Sequence, residues 1–72
     1  MNKLKVVQLL PELNIGGVER GTKDFSKALS DLGHQSIVIS NGGIFEKDII
    51  KDGGKHINLP IHKKSLFSFF LS

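Results

Sequence analysis

The sequence predicts an α/β domain of order β-α-β-α-β, its strands parallel and arranged 3-2-1, which is one half of a doubly wound fold. Three observations carry this expectation. Short apolar runs at residues 6–10 and 36–40 have the composition of strands buried on both faces. A stretch with apolar residues at three- and four-residue steps lies between them, as an amphipathic helix requires. Glycines punctuate the junctions, at Gly16-Gly17, Gly33, Gly42-Gly43 and Gly53-Gly54.

Val6-Val7-Gln8-Leu9-Leu10 forms the first strand, stopped by Pro11. In the helix that follows, Val18, Thr22, Phe25, Ala28, Leu29 and Leu32 make up the expected inward face, and Glu19, Lys23, Asp24, Lys27 and Asp31 the wet one. Gly33 supplies a left-handed stop. Ser36-Ile37-Val38-Ile39-Ser40 reads as the second strand, broken by Asn41-Gly42-Gly43. A shorter helix follows over residues 44–52. His56-Ile57-Asn58-Leu59 alternates polar and apolar, as an edge strand does, and Pro60 ends it. Residues 65–71 hold Leu66, Phe67, Phe69, Phe70 and Leu71 and read as the start of a third helix.

Bulk composition narrows the function classes. Seventy-two residues make at most one small domain, a size that buries only about 60% of the unfolded surface. Ten basic against seven acidic residues give +3, with lysines spread from Lys3 to Lys64 rather than gathered on one face between aromatic residues. That spread argues against a nucleic-acid binder. The chain has no cysteine, which excludes disulfides and thiolate metal sites. His56 and His62 lack carboxylate or cysteine partners at ligand spacing, so no metal is implied. His34, at a helix-to-strand junction, reads as structural. The short apolar run before Pro11 does not make a signal peptide, nor does any stretch approach the roughly 20 apolar residues of a membrane span. A cytoplasmic protein is the expectation.

The stretch from Leu10 to Gly21 is the organising element. Open parallel sheets bind ligands at the carboxyl ends of their strands, and a helix start there offers unpaired N–H groups to an anion. Two glycine-bearing loops meet this edge, Gly16-Gly17 and Asn41-Gly42-Gly43. The dinucleotide fingerprint does not fit, because Gly16, Gly17 and Gly21 have the wrong spacing and Ser40-Asn41 stand where an acidic residue is wanted. A Walker-type loop is excluded as well, since no Gly-Lys-Ser/Thr follows the strand. The bland alternative for the twin glycines is a turn that needs positive φ. Glu19 reads as complementing the helix N-terminus. Arg20 reads equally as an anion contact or a solvated helix position.

The strand at residues 7–10, Pro11, the Gly16-Gly17-Val18-Glu19-Arg20 turn, the Leu32-Gly33-His34 junction and the Ile37-Val38-Ile39 strand together resemble one family. It is the N-terminal, Rossmann-like domain of GT-B-fold retaining glycosyltransferases of the lipopolysaccharide and cell-wall type (group 1, family 4-like). The resemblance extends over essentially all 72 residues, including the second-helix and third-strand stretch down to Pro60. It implies a two-domain enzyme with its site in the cleft between the domains. The front domain receives a glycan or lipid-linked acceptor, and the back domain holds most of the nucleotide-sugar donor. The double-glycine loop would approach the donor diphosphate, which carries over to Gly16, Gly17 and Val18, with Arg20 as an added cation. No metal or other cofactor is implied. The acidic motif of the back domain has no counterpart here, so residues 1–72 read as an incomplete N-terminal domain, inactive alone.

Two other classes stay open at this stage. One is a stand-alone nucleotide or phosphate-binding module built on the two glycine loops. The other is an interaction protein that uses its Phe-rich tail. Lys63-Lys64 before that tail also reads as a membrane-surface element, against packing of residues 66–71 on the sheet of a complete domain.

Overall fold

A computed structural model describes residues 3–11 and 17–61, and the backbone of residues 67–71. It contains β1 (Lys5–Leu9), α1 (Gly17–Asp31), β2 (Gln35–Ser40), α2 (Glu46–Lys51), β3 (Lys55–Asn58) and β4 (Phe67–Leu71). The sheet order is β3-β2-β1-β4. β1, β2 and β3 are parallel, with Val7 opposite Ile37 and Ile39 opposite Ile57. This three-stranded parallel core with two helices is the arrangement expected from the periodicity.

The expected third helix is not there. Residues 67–71 form a strand antiparallel to β1, with Phe69 opposite Val7 and Leu71 opposite Lys5. A run of seven residues is as compatible with a strand as with a helix, and Phe is a good strand former. The open N–H and C=O groups along the free edge of β1 decide the matter by pairing.

Register places Val6, Gln8, Ser36, Val38, Ser40, His56 and Asn58 on one face of the sheet. Both helices cover that face. The Gln8 amide reaches the Thr22 carbonyl at 3.4 Å, Ser26 Oγ meets Ser36 Oγ at 2.6 Å, and Glu46 faces His56 at 3.4 Å. The apolar part of this layer is Leu10, Val38, Phe45 and Ile49, all buried. On the opposite face Val7 is buried, while Leu9, Ile37, Ile39 and Ile57 are half-buried.

α1 is rotated relative to the inward face expected from its sequence. Its buried residues are Thr22, Ser26 and Leu29, whereas Val18, Phe25 and Leu32 are 51%, 40% and 66% exposed. The reason is the short distance between helix and sheet. A Cβ on Gly54 would stand 2.7 Å from Ser26 Oγ, and at that separation only small side chains fit between the layers. Phe25 therefore moves to the flank. On the solvent side Lys27 donates to Asp31 at 2.8 Å, and that bond with the carboxylate's charge raises the Lys27 pKa.

Both helices end in the same way. After α1, Gly33 (φ 84°) lets Gly33 N–H reach the Ser30 carbonyl and His34 N–H the Leu29 carbonyl. After α2, Gly53 (φ 98°) repeats the pair, with Gly53 to Ile50 and Gly54 to Ile49. These are Schellman stops, as the Leu-Gly-His and Asp-Gly-Gly sequences lead one to expect. His34 has a structural role, because its Nδ1 accepts the Leu4 N–H at 3.0 Å and ties the α1–β2 junction to the start of β1.

Two glycine substitutions check the tight layer against the open flank. Gly54→Ala would press a methyl on Ser26 Oγ, Ile49 Cγ2 and the Ile49 carbonyl, and should destabilise the fold by about 1–3 kcal/mol. Gly21→Ala, exposed in α1 with nothing within 4 Å among the described residues, should stabilise by about 0.5–1 kcal/mol. Urea unfolding of the two variants against the parent chain measures both.

Candidate functional site

Strand polarity brings the two glycine loops to one edge. β1 and β2 both run toward it, and their ends are joined by backbone. Leu10 N–H donates to the Ile39 carbonyl at 3.0 Å, and Asn41 N–H donates to the Pro11 carbonyl at 2.7 Å. The second bond ties the start of the first loop to the start of the second. Gly17 opens α1 beside them. Glu12, Leu13, Asn14, Ile15 and Gly16 lie outside the described residues.

Gly17 differs from the glycines of the second loop in what the described residues require of it. It is not among the glycines with positive φ, and a Cβ built on it meets nothing within 4 Å. Neither the backbone nor the packing of the described residues calls for glycine at 17. Gly42 (φ 95°) and Gly43 (φ 151°) differ, since their conformations are ones that L side chains resist. A Cβ on Gly42 would also stand 3.0 Å from Glu46 Oε2 and 3.3 Å from Asn58 Nδ2. The second loop needs its glycines for its own shape, and the α1 start does not.

Positive charge is anchored at the same edge. Arg20 Cζ lies 5.9 Å and Lys23 Nζ 5.4 Å from the centroid of the Phe45 ring, which is buried in the turn between β2 and α2. Cations at such distances are attracted to the ring's negative face. Phe45 thus draws two side chains of the first turns of α1 toward the second loop. Arg20 remains exposed, as does Val18. Lys23 also lies 3.4 Å from Asp24, which offsets part of its charge. Glu19 sits in the first turn of α1, where its charge suits the helix dipole and competes with any external anion.

Asn41 has a second role that its sequence position did not disclose. Its side-chain amide donates to the Ile61 carbonyl at 3.1 Å and accepts the Ile61 N–H at 2.9 Å. Leu59 N–H donates to the Ser40 carbonyl at 3.0 Å. Residues 59–61 are thereby drawn along the edge where β1 and β2 end. The side chain of Asn41 and the N–H of Gly42, which donates to Ser40 Oγ at 2.9 Å, are engaged within the fold.

Sequence reasoning also missed a polar chain under the second loop. Ser40 Oγ lies 2.7 Å from His56 Nε2, and His56 Nδ1 lies 3.4 Å from Glu46 Oε1. The alternation of β3 puts His56 on the helix-covered face, but nothing local in the sequence pairs it with residues 10 and 16 positions earlier. Among the described residues there is no group of three or more His, Cys, Asp or Glu placed to hold a metal ion. No helix of the described residues is long and apolar enough to cross a membrane.

No protein-family model matches the chain, nor does any curated protein or solved structure. The functional reading therefore rests on the edge itself and on the sequence motifs that meet there.

Replacing the clamp tests how the edge is held. Asn41→Ala removes two hydrogen bonds to Ile61 while leaving the Asn41 N–H on Pro11 in place. It should cost about 1 kcal/mol and speed amide exchange at Ile61, with exchange at Leu10 unaffected.

Proposed function

We propose that this chain is the front part of a nucleotide-sugar-dependent glycosyltransferase, a Rossmann-like half-unit whose carboxyl edge receives the donor diphosphate. The observation that carries the reading is the meeting of three features at one place. They are the N-terminus of α1 at Gly17, where a Cβ would meet nothing within 4 Å among the described residues, the cation pair Arg20 and Lys23 held on Phe45, and the backbone bond from Asn41 to Pro11 that joins the starts of the two loops. The sequence resemblance described above supplies the reaction class. Backbone N–H groups at a helix start, with Arg20 beside them, are suited to stabilising charge that grows on a leaving diphosphate.

In this reading Gly16, Gly17 and Val18 lie along the diphosphate, and Arg20 contributes a cation. The Asn41-Gly42-Gly43 loop forms the neighbouring wall. A glycan or lipid-linked acceptor enters from the front, a second domain supplies the remaining donor contacts, and lipid-linked acceptors would bring the whole enzyme to the inner face of a membrane. The 72 residues alone bind without transferring. A stand-alone nucleotide or phosphate-binding module is the second reading, favoured by the fact that the Asn41–Pro11 bond makes the two-loop edge self-contained within this chain.

Titration with UDP, with other nucleoside diphosphates and with inorganic diphosphate, followed by amide chemical shifts, tests both readings. Shifts should concentrate at Gly17, Val18, Arg20, Gly42 and Gly43. A spectrum unmoved at millimolar ligand rules the site out. Gly17→Ala should leave stability within about 0.5 kcal/mol, since the added methyl meets nothing within 4 Å among the described residues, and yet weaken binding. Arg20→Ala should weaken it about fivefold, the scale of one partly exposed charge contact. Preference for a sugar nucleotide over inorganic diphosphate separates the transferase reading from the module.

A further inference from the structure

Glu46, His56 and Ser40 stand in a line that resembles the acid-histidine-serine order of a hydrolase, but the serine is wrongly placed for that chemistry. Ser40 is fully buried, and its Oγ already accepts the Gly42 N–H at 2.9 Å. An inaccessible oxygen bonded in this way does not attack an external carbonyl.

The direction of each contact in the line turns on which nitrogen of the His56 ring carries the proton, and the Glu46 carboxylate selects one. Glu46 has only acceptor oxygens when ionised, so the proton facing it belongs to His56 Nδ1. In the neutral ring Nε2 is then an acceptor, and it takes the Ser40 hydroxyl proton at 2.7 Å. Ser40 Oγ, having given its proton, accepts from Gly42 N–H. Two hydrogen bonds and one 3.4 Å contact thus lead from the α2 carboxylate to the backbone of the second glycine loop. It is also sheltered, because the His56 side chain is 1% exposed and that of Glu46 35%.

We propose that Glu46, His56 and Ser40 form a positioning relay that holds the Gly42-Gly43 backbone in its positive-φ conformation, preorganising the second wall of the diphosphate site. Two adjacent glycines are the most freely moving backbone a loop contains, and fixing them before a ligand arrives removes an ordering cost from binding. Glu46 Oε2 and Asn58 Nδ2 flank Gly42 closely enough to hinder a side chain there, so the relay and the packing select the same loop shape. The consequence for affinity rests on the nucleotide reading given above, whereas the relay itself does not.

The experiment compares the parent chain with Glu46→Ala, which removes the acceptor, and Glu46→Gln, which keeps an amide oxygen in its place. Nitrogen-15 shifts of the imidazole, recorded with the ring neutral, should show His56 of the parent as the Nδ1–H tautomer. The Nε2–H tautomer would overturn the relay. Amide exchange at Gly42 should quicken about tenfold in Glu46→Ala, return to within about threefold of the parent in Glu46→Gln, and do so while exchange at Val38 stays constant. Equal exchange at Gly42 in all three chains also overturns it. Glu46 is half-buried where Ser40 is fully buried, so this comparison stays usable where Ser40→Ala does not fold. UDP affinity should fall about tenfold in Glu46→Ala and recover in Glu46→Gln. A parent chain indifferent to UDP defeats the nucleotide reading, while the tautomer and exchange results still decide the relay.

Discussion

The contact between Ser26 and Ser36 governs much of this architecture. Two fully buried hydroxyls 2.6 Å apart hold α1 against β2 at a distance that larger side chains would not permit. Gly54, whose missing side chain makes room for Ser26 and Ile49, shares the same space. The helix is set close and turned, so that Thr22, Ser26 and Leu29 go inward and Phe25 goes to the flank. With that rotation Arg20 and Lys23 come over Phe45. One hydroxyl donates and the other accepts, so neither oxygen is left without a partner, though the bond contributes little net stability. Ser30 Oγ, one turn along α1, is buried with no partner among the described residues and shows the cost of polar side chains in this layer.

Much of the fold was legible because it depended on signals local in sequence. Val6 to Leu10 and Ser36 to Ser40 are apolar enough to require burial, and Gly33 and Gly53 mark the helix stops to the residue. The rotation of α1 was not legible. Its hydrophobic stripe and its small-residue stripe are both periodic, and only the distance to the sheet decides which one turns inward. Residues 67–71 were misread for a related reason. An isolated apolar run takes the structure of whatever edge is free to receive it, and the free edge of β1 lies some sixty positions away in the chain.

The candidate site divides in the same manner. That Gly17, Arg20 and the 41–43 loop share an edge followed from strand order alone. The bonds that make the edge rigid did not follow from sequence, because they join residues far apart in the chain. Asn41 reaches Ile61, Ser40 reaches His56, and Arg20 reaches Phe45. Each uses a side chain whose type was noticed and whose partner was not. The glycines show the converse. The fold explains Gly42 and Gly43 through their φ angles, whereas among the described residues nothing calls for glycine at 17.

The antiparallel pairing of β4 also bears on how the chain folds. β1 receives its two neighbours from very different separations, since Lys5 pairs with Gln35 on one side and with Leu71 on the other. The nearer partner arrives through one helix, and the farther must close nearly the whole chain, at a larger entropic cost. β4 is therefore placed to dock last and to leave first. Whenever it leaves, β1 presents a row of unpaired backbone groups to any extended strand nearby, including the same segment of another molecule. Docking of β4 acts as the gatekeeper of that edge, and the rate of its release, rather than global unfolding, would set how readily such molecules exchange strands.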